Sequence, residues 1–432
     1  MQKLYRLLLK QHSGLSSIAV VNVGDIVKKG TLIGASSNEG ISANIHASVS
    51  GTVAEVTKEY IAIEADEKQT EEYVKVEGDS ILELIKAAGI VGMGGAGFPT
   101  DVKLKKKLND GIVILNAAEC EPILSHNIYS IEKNPGRVYR GLLYTMEAIG
   151  ASKGIIAIKE KHKEAINAFK DVIDRENVEI HLLPDMYPMG EKRAIIREVL
   201  GILLNVNQSS SEANAVVINS ETVSRITDAV ELRKPVITKD ITVSGKIKSD
   251  EPIKVFTDVP IGTSVETVLN NSGGVEDDFG EIIMGGPFLG KSTTLDSPIT
   301  KTTGGIIATM PFINEKRKMG LLVCACGGNE ERLREIAGKM GAPVIGVEYC
   351  KQAIQARGKL SCANPGKCPG QSQKVLKLKK EGAEVLLMSN CTDCSNTVMT
   401  IAPKLKMPVY HCTDGALRAA GMRLVRKLPL SK

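Results

Sequence analysis

No stretch of this sequence reaches the roughly 18 to 20 consecutive apolar residues that a membrane span requires, so we expect no transmembrane helix. The hydrophobic run within the first ten residues is too short for a signal peptide, which predicts a cytoplasmic protein. The chain also lacks a strong excess of positive or negative charge. Its net charge of +5 over 432 residues gives no reason to expect a nucleic-acid partner. Tryptophan is absent and aromatic residues make up only 3% of the chain, but the 43% hydrophobic fraction is ordinary for a globular protein.

The length predicts about two to four domains, and four segments of different character divide the chain. In residues 1–75, short β-stretches alternate with glycine turns, as at Val23 to Gly30 and His46 to Val53. This pattern resembles the barrel-sandwich fold of biotinyl and lipoyl domains, whose carriers need a lysine in the exposed hairpin between the two halves. Residues 33–45 contain no lysine, so we expect a structural β-domain and not a carrier.

Residues 76–232 alternate strand-like and helix-like patterns. The apolar runs 112–115, 154–158 and 215–218 are typical of buried parallel strands. Helical spacing appears at 163–173 and 191–200. This alternation predicts a Rossmann-like three-layer α/β domain that binds its ligands at the carboxyl ends of the strands.

A glycine-rich loop opens this second segment and is the most informative motif in the chain. The string from Gly92 to Lys103 reads GMGGAGFPTDVK, with four glycines in six residues. Such a backbone lets a phosphate or a flat ring approach the main-chain N–H groups. The residues from Asp101 onward predict a helix that begins beside the loop, and Lys103 is close enough to neutralise a phosphate.

Five ordered motifs carry a family resemblance over roughly residues 1 to 310. After the glycine loop come NAAECEP from Asn116, GEK from Gly190, NSET from Asn219 and GGPFLGK from Gly285. This order resembles the 51 kDa NADH-binding subunit of complex I and the RnfC component of the Rnf electron-transport complex. The chain departs from the Rnf pattern afterwards, because it lacks the two Cys-x-x-Cys-x-x-Cys-x-x-x-Cys-Pro runs that bind [4Fe–4S] clusters.

The resemblance implies that FMN and NADH bind to the second segment. By this resemblance, the glycines expose their backbone to the flavin and Lys103 binds the flavin phosphate. Phe98 stacks on the adenine of NADH, and Glu121 binds a ribose hydroxyl. Asn116, Glu119, Glu191 and Asn219 are expected to make polar contacts with the flavin or the nucleotide. The implied cofactor-binding set is Gly92, Gly94, Gly95, Phe98, Lys103, Asn116, Glu119, Glu121, Glu191 and Asn219.

Residues 233–318 change to a paired-strand pattern. Runs at 236–245 and 252–256 predict a hairpin, and 260–269 predicts a helix that begins near Thr263 or Ser264. A hairpin followed by one crossing helix is typical of a β-grasp fold. It resembles the soluble-ligand-binding β-grasp (SLBB) module of the same family, for which we expect a structural or docking role.

Residues 319–432 form a cysteine-rich α/β segment with a weak internal repeat. The runs 321–326 and 386–391 each end an apolar strand at cysteines, and each precedes a helix-like stretch with an offset of 65 residues. Cysteines at the start of a helix favour the thiolate that exchange or metal ligation needs. Eight of the nine cysteines lie here: Cys324, Cys326, Cys350, Cys362, Cys368, Cys391, Cys394 and Cys412.

Three interpretations of these cysteines remain open from the sequence. A dithiol relay fits the catalytic candidates, Cys324-x-Cys326 and Cys391-x-x-Cys394. An iron–sulfur centre, or less favourably zinc, fits four thiolates. Its candidate ligands are Cys362, Cys368, Cys391 and Cys394. A set of unreactive buried thiols is the third possibility and is disfavoured by their density.

The resemblance also implies a direction for the electrons and a kind of partner. NADH would reduce the flavin, and the C-terminal cysteines would pass electrons to a partner reductase. Within the family, the resemblance is strongest to the RnfC-like proteins that accompany D-proline reductase (the PrdC group), which implies that reductase as partner. Peripheral association with a membrane electron-transport complex also follows from the family. The alternative is a non-catalytic adaptor that retains the scaffold and docks reductase subunits.

Overall fold

A computed structural model describes residues 2–356 and 358–426, and its N-terminal part is an all-β unit. One antiparallel sheet has the order β1-β7-β6-β3 and a second has the order β2-β4-β5. Residues of β6 alternate between the interior and solvent, which is the pattern of a sheet with one buried face. The strands are β1 (Leu4–Leu8), β2 (Ile18–Ala19), β3 (Ile26–Val27), β4 (Leu32–Ala35), β5 (Ile45–His46), β6 (Gly51–Val56) and β7 (Tyr60–Ala65).

The second unit has a parallel four-stranded sheet in the order β10-β9-β8-β11. Its strands are β8 (Gly111–Ala117), β9 (Ala151–Lys159), β10 (Val178–Leu183) and β11 (Ala215–Asn219). The helices are α1 (Ile81–Ala87), α2 (Thr100–Leu104), α3 (His126–Lys133), α4 (Pro135–Ile149), α5 (Lys163–Val172), α6 (Lys192–Leu200) and α7 (Ser220–Glu231). Successive strands run outward from β8 on one side, and β11 lies on its other side. The strand order therefore reverses between β8 and β11, where α/β sheets bind ligands.

Helix α2 is shorter than the sequence-based expectation, and α3, α4 and α7 were not predicted from the sequence. The helix expected after Asp101 is only five residues long and ends at Leu104, so its dipole gives the glycine loop little support. Helix α4 was not anticipated by the sequence patterns above. Asn134 caps its first turn, Pro135 occupies the first position, and Gly150 ends it with φ of +70°.

The third unit is a five-stranded sheet in the order β13-β12-β16-β14-β15. Strands β12 and β13 form the antiparallel pair that the sequence pattern predicts, and Ser264 caps the following helix. Buried aliphatic side chains such as Val265 and Leu269 pack this helix onto the sheet. The elements are β12 (Thr238–Gly245), β13 (Ile253–Pro260), α8 (Val265–Asn271), β14 (Ile282–Met284), β15 (Lys291–Thr293) and β16 (Gly305–Ala308).

The fourth unit has a second parallel sheet, in the order β18-β17-β21-β22. Its strand order reverses between β17 and β21, which gives this unit its own candidate ligand position. Strands β17 (Met319–Val323), β18 (Val344–Tyr349), β21 (Val385–Met388) and β22 (Val409–His411) form the sheet, and β19 (Ala353–Ala356) and β20 (Lys359–Cys362) form a hairpin. The helices are α9 (Glu330–Lys339), α10 (Ser372–Lys380), α11 (Thr392–Ile401) and α12 (Asp414–Ala419).

No helix within residues 2–356 and 358–426 is long and apolar enough to cross a membrane.

Candidate functional site

The glycine loop closes on itself and presents its tip to solvent. The amide of Gly92 donates to the Phe98 carbonyl at 2.9 Å, and the amide of Gly97 donates to the Gly92 carbonyl at 3.0 Å. Gly94 and Gly95 are exposed between these bonds, and Gly95 has a φ of +101° that favours glycine. A fixed loop with uncovered backbone at its tip is suited to contact a flat or anionic ligand.

Gly94 lies directly against Asn219 at the end of β11. A Cβ atom added to Gly94 would come within 3.0 Å of Asn219 Nδ2, so only glycine fits this approach without displacing the amide. Asn219 Oδ1 accepts hydrogen bonds from the amides of Glu221 and Thr222 and thereby caps α7. The strand register places Asn219 beside Asn116. The loop therefore sits over the point where the strand order reverses.

Asn116 and Glu191 are joined through the segment that precedes α6. Asn116 Nδ2 donates to the Gly190 carbonyl at 3.0 Å. The Glu191 carboxylate accepts from the amides of Arg193 and Ala194 at 2.8 and 3.1 Å and caps α6. Asn116 and Glu191 thus also hold the backbone at Gly190 and at the start of α6.

Lys103 points inward, and its ammonium donates to the Val217 carbonyl in β11. Burial and, to a smaller extent, the positive charge of Lys192 lower the pKa of Lys103 to about 8. Among the described residues, no carboxylate lies within ion-pairing distance of either lysine. In addition, Arg193 Nη1 is buried and has no hydrogen-bond partner in the described part of the chain. Arg193 is already paired through Nε with Glu191 at 3.2 Å, so Lys103 and Lys192 are the cations of this group that lack a carboxylate partner among the described residues.

The acidic segment after β8 contains two enclosed carboxyl groups. Glu119 has a φ of +33° and accepts a 2.6 Å hydrogen bond from Asn127 Nδ2. Burial raises the pKa of Glu119 to about 7 although the Asn127 bond opposes the rise. Burial likewise raises the pKa of Glu121 to about 7, against the effect of two backbone N–H donors.

Glu121 holds a turn of the third unit. Its two carboxylate oxygens accept from the amides of Phe288 and Leu289 at 2.8 and 2.9 Å. A Cβ atom at Gly286 would lie only 2.4 Å from the Glu121 carboxyl carbon, so glycine is needed for this close approach. The ribose contact assigned to Glu121 by resemblance stays a prediction, and any such contact would share oxygens that already bind this turn.

Phe98 leaves its ring 36% exposed beside the loop, where it is accessible to an aromatic ligand. The uncovered glycines, the amides of Asn116 and Asn219 and the ammonium groups of Lys103 and Lys192 are the kinds of group that bind the ring, the polyol and the phosphate of a mononucleotide such as FMN.

The second candidate site is a cluster of seven cysteines in the fourth unit. Cys324 directly follows β17 and Cys350 directly follows β18. Cys391 lies shortly after β21, at the start of α11. The cysteines form no disulfide. The cysteine cluster consists of Cys324, Cys326, Cys350, Cys362, Cys368, Cys391 and Cys394. Cys412 is excluded, because it packs into a different core.

The cysteine cluster divides into two groups, which meet at Cys391 and at the contact between Cys324 and Cys350. The Cys326 thiol interacts with the thiols of Cys324, Cys362 and Cys391. The Cys394 thiol interacts with those of Cys350, Cys368 and Cys391. Hydrogen bonds from the thiols of Cys324 and Cys326 lower the pKa of Cys391, and the backbone amide of Cys394 lowers it further.

The predicted catalytic pairs lie together at the reversal point of the second parallel sheet, because Cys391 contacts both Cys324 and Cys326. The predicted four-ligand set is split between the two groups: Cys368 contacts Cys394, whereas Cys362 contacts Cys326. Within residues 2–356 and 358–426, no three or more histidine, cysteine or acidic side chains are arranged to hold a metal ion. The proposed metal ligands therefore stay a prediction.

An aromatic pair joins the two sites. Tyr187, from the loop after β10, stacks on Phe288 with ring centroids 3.6 Å apart and an angle of 2° between the planes. The Tyr187 hydroxyl donates to the Cys326 carbonyl, and Glu121 holds the Phe288 amide. The partly buried thiol of Cys120 packs beside the same pair. Sequence reasoning noted the motif around Phe288 but had no signal for Tyr187, since no local pattern encodes a contact between distant loops.

Comparisons with known proteins agree with this geometry. Residues 85–228 match the model of the Nuo51 FMN-binding domain, and residues 1–80 match the RnfC barrel sandwich hybrid domain. The second unit is thus an FMN-binding domain, and the first is a barrel-sandwich domain, as predicted.

Two relatives illustrate the extent of the similarity. The chain is 40% identical to the cobalamin reductase PduS of Salmonella typhimurium over 235 residues, which is 54% of this chain and 51% of that protein. It is 34% identical to the RnfC-type component of the proton-translocating ferredoxin:NAD(+) oxidoreductase complex of Clostridium ljungdahlii over 340 residues, 73% of each chain. The chain therefore spans about half of PduS. A solved NAD+-reducing [NiFe]-hydrogenase aligns with 53% of this chain and 46% of its own, at a TM-score of 0.45 and 22% identity.

Proposed function

This chain belongs to the RnfC family of ferredoxin:NAD(+) oxidoreductase subunits, and from that membership we propose that it is an electron-transfer protein. Electrons would enter from NADH at the FMN-binding domain and leave through the cysteine cluster to a partner reductase. The observation that carries this proposal is the contact between the two sites. Glu121 of the acidic segment holds Phe288, which stacks on Tyr187, whose hydroxyl binds the carbonyl of Cys326.

The residues of the first site have distinct tasks in this proposal. Gly92, Gly94 and Gly95 leave the backbone open to the flavin, and Lys103 with its cationic surroundings binds the phosphate. Asn116 and Asn219 contribute amides at the reversal point, while the exposed Phe98 ring stacks on the nucleotide. FMN, when bound, accepts the electron pair of a hydride donor and releases the electrons one or two at a time.

Glu119, Glu121 and Glu191 complete the first site. Glu119 is placed at the end of the central strand, where its enclosed carboxyl group can hold or release a proton near neutral pH. Glu191 and Glu121 fix the neighbouring backbone through their amide hydrogen bonds. A fixed backbone keeps the phosphate and ring contacts in place through repeated cycles of reduction.

The cysteine cluster supports two kinds of electron carrier in this proposal. Reduction of a disulfide between Cys391 and Cys394 breaks the S–S bond, takes up two electrons and two protons and leaves two thiols. An iron–sulfur centre would take up one electron without breaking a bond to its thiolates. The contacts of Cys391 with both groups of the cluster favour this residue as a member of either carrier.

The partner is proposed to be another reductase. Its identity as D-proline reductase rests on the resemblance given above, and the similarity to the cobalamin reductase PduS offers a corrinoid-reducing system as a second candidate. Family membership also supports peripheral docking on a membrane electron-transport complex. The third unit, proposed as an SLBB-like β-grasp module, provides the turn that links the two sites and is the candidate docking surface.

The alternative is a non-catalytic adaptor that uses the same contacts only to assemble reductase subunits. A spectroscopic titration of anaerobically purified, FMN-loaded protein with NADH separates the two. We expect the flavin bands to bleach and the NADH consumed to exceed one equivalent per FMN, because the cysteine cluster accepts further electrons. The double variant C391S/C394S should bleach equally but consume fewer equivalents. A protein that neither retains FMN nor responds to NADH would leave only the adaptor.

A further inference from the structure

A buried glutamine contacts the cysteine cluster. Gln371 immediately precedes α10 and is completely shielded from solvent. Its side-chain Nε2 donates to Cys350 Sγ at 3.1 Å and to Cys394 Sγ at 3.5 Å. The Oε1 atom of the same amide has no hydrogen-bond partner among the described residues. The hydrogen bonds of this side chain are therefore directed entirely at sulfur.

Burying an amide with half of its polar atoms unpaired is costly, at about 1 to 3 kcal/mol in protein mutational data. Neutral thiols are weak acceptors and return little of this cost. A sulfur that carries negative charge is a much better acceptor, because hydrogen bonds to ionised groups are about twice as strong as neutral ones. The position of Gln371 is thus explained best when Cys350 or Cys394 carries charge in a working state of the protein.

We propose that Gln371 is a positioning residue that raises the reduction potential of the cysteine cluster. This inference rests on the proposed function, because it assumes that the cluster is reduced and reoxidised. Reduction of either carrier increases the negative charge on sulfur. In a dithiol couple, cleavage of the S–S bond by two electrons and two protons produces thiols that ionise. In an iron–sulfur centre, one added electron is shared with the thiolates. The N–H donor of Gln371 stabilises the reduced form in both cases.

The test compares midpoint potentials of the wild type, Gln371→Met and Gln371→Glu. Methionine keeps the volume but removes the donor, whereas glutamate keeps the shape and places carboxylate oxygens against the sulfurs. We expect the potential to fall in the order wild type, methionine, glutamate, with a tenfold change in the equilibrium constant for the methionine variant. Tenfold corresponds to about 30 mV for a two-electron couple and about 59 mV for a one-electron couple. A purely structural role predicts that the nearly isosteric glutamate disturbs the cluster least.

Gln352 provides a matched control in the same cluster. Its Oε1 accepts from the Asn364 amide at 3.1 Å and lies 3.5 Å from Cys362 Sγ, so Gln352→Met removes an acceptor and not a donor. We expect Gln352→Met to change the potential much less than Gln371→Met does.

Potentials are measured by anaerobic titration with dithionite and redox mediators, followed by visible absorbance and by maleimide labelling of thiols. The slope of the titration distinguishes a one-electron centre from a dithiol couple, and FMN binding reports that each variant is folded. Gln371→Met decides the question if the glutamate variant does not fold. Equal potentials in folded wild type and variants, or a wild type without a reducible cysteine cluster, would overturn the proposal. Bleaching of the flavin by NADH is read separately, so failure of the first half of the proposed function is not confused with this result.

Discussion

Replacing Lys103 with methionine tests the assignment of the phosphate position. The ammonium of Lys103 is enclosed beside β11, binds the Val217 carbonyl and has no carboxylate within ion-pairing distance among the described residues. A hydrogen bond between charged groups contributes about 1.5 to 3 kcal/mol. Since 1.4 kcal/mol is tenfold in affinity, we expect Lys103→Met to weaken FMN binding about 10- to 150-fold in a flavin-fluorescence titration.

Riboflavin provides the internal control because it lacks the phosphate. If Lys103 binds the phosphate, the variant should lose far more affinity for FMN than for riboflavin. Lys107 gives a control variant, since its ammonium also donates to a backbone carbonyl, that of Ala148 at 2.7 Å. Lys107→Met should bind both ligands like the wild type. An equal loss for FMN and riboflavin in Lys103→Met would refute the assignment and would make Lys103 a support of β11 alone.

The pH dependence of FMN binding gives a second readout of the same contact. The pKa of Lys103 is lowered to about 8 by burial, so the free protein loses this positive charge as the pH rises through 8. Binding of a phosphate dianion above that pH then requires uptake of a proton. We expect the FMN affinity of the wild type to fall by up to about tenfold per pH unit above 8. The affinity of Lys103→Met should not show this decline, and parallel profiles would contradict the argument.

Three further perturbations address the contacts around the two sites. Gly94→Ala places a Cβ 3.0 Å from Asn219 Nδ2, so the Asn219 side chain must shift and FMN affinity should fall several-fold; unchanged binding would refute the role of this close approach. Burial raises the pKa of Glu121 from 4.5 to about 7, so this group contributes about 3 kcal/mol of stability below pH 4.5 that is lost as the pH rises through 7. In urea unfolding, the stability difference between the wild type and Glu121→Gln should shrink by about that amount over this range, and a difference that does not depend on pH would refute the argument. Phe288→Leu removes the stack on Tyr187 and should slow reduction of the cysteine cluster in stopped-flow measurements without slowing flavin bleaching; equal rates would exclude the aromatic pair as the link.

The parallel strands were predictable because their sequence signal is local. Residues 112–115, 154–158 and 215–218 are continuous aliphatic runs, and the structure extends them to β8, β9 and β11. Strands covered by helices on both faces need no polar alternation, so such runs identify them. Polar residues that directly follow these runs were accordingly expected at a ligand-binding edge, and Asn116 and Asn219 do lie side by side there.

The direction in which a side chain points was not predictable in the same way. Lys103 was expected to face a ligand phosphate beside the glycine loop, yet its ammonium turns inward to the Val217 carbonyl. Glu121 was expected to contact a ribose hydroxyl, but its carboxylate binds two amides that lie more than 160 residues away in the chain. These positions depend on how separate units pack, and neither periodicity nor spacing encodes that packing.

Cysteine pairing shows the same limit. Spacing alone brought Cys391 and Cys394 together, because positions one and four of a helical turn share a face. Spacing could not predict that Cys362 contacts Cys326 or that Cys368 contacts Cys394. It also could not predict that Gln371 contacts the cysteine cluster. Those contacts arise where the β19–β20 hairpin and the start of α10 fold over the ends of the parallel sheet.

Both candidate sites occupy the same place in their respective sheets, and this position explains how one chain brings them into contact. Strand order reverses between β8 and β11 in the second unit and between β17 and β21 in the fourth, and ligands bind at such reversals. Loops at carboxyl ends can extend away from their own sheet, and the loop after β10 carries Tyr187 to the carbonyl of Cys326. The turn of the third unit then fills the space between, because Glu121 fixes Phe288 against that ring. The link between the sites is therefore made by loops that extend away from their own sheets and not by the sheets themselves.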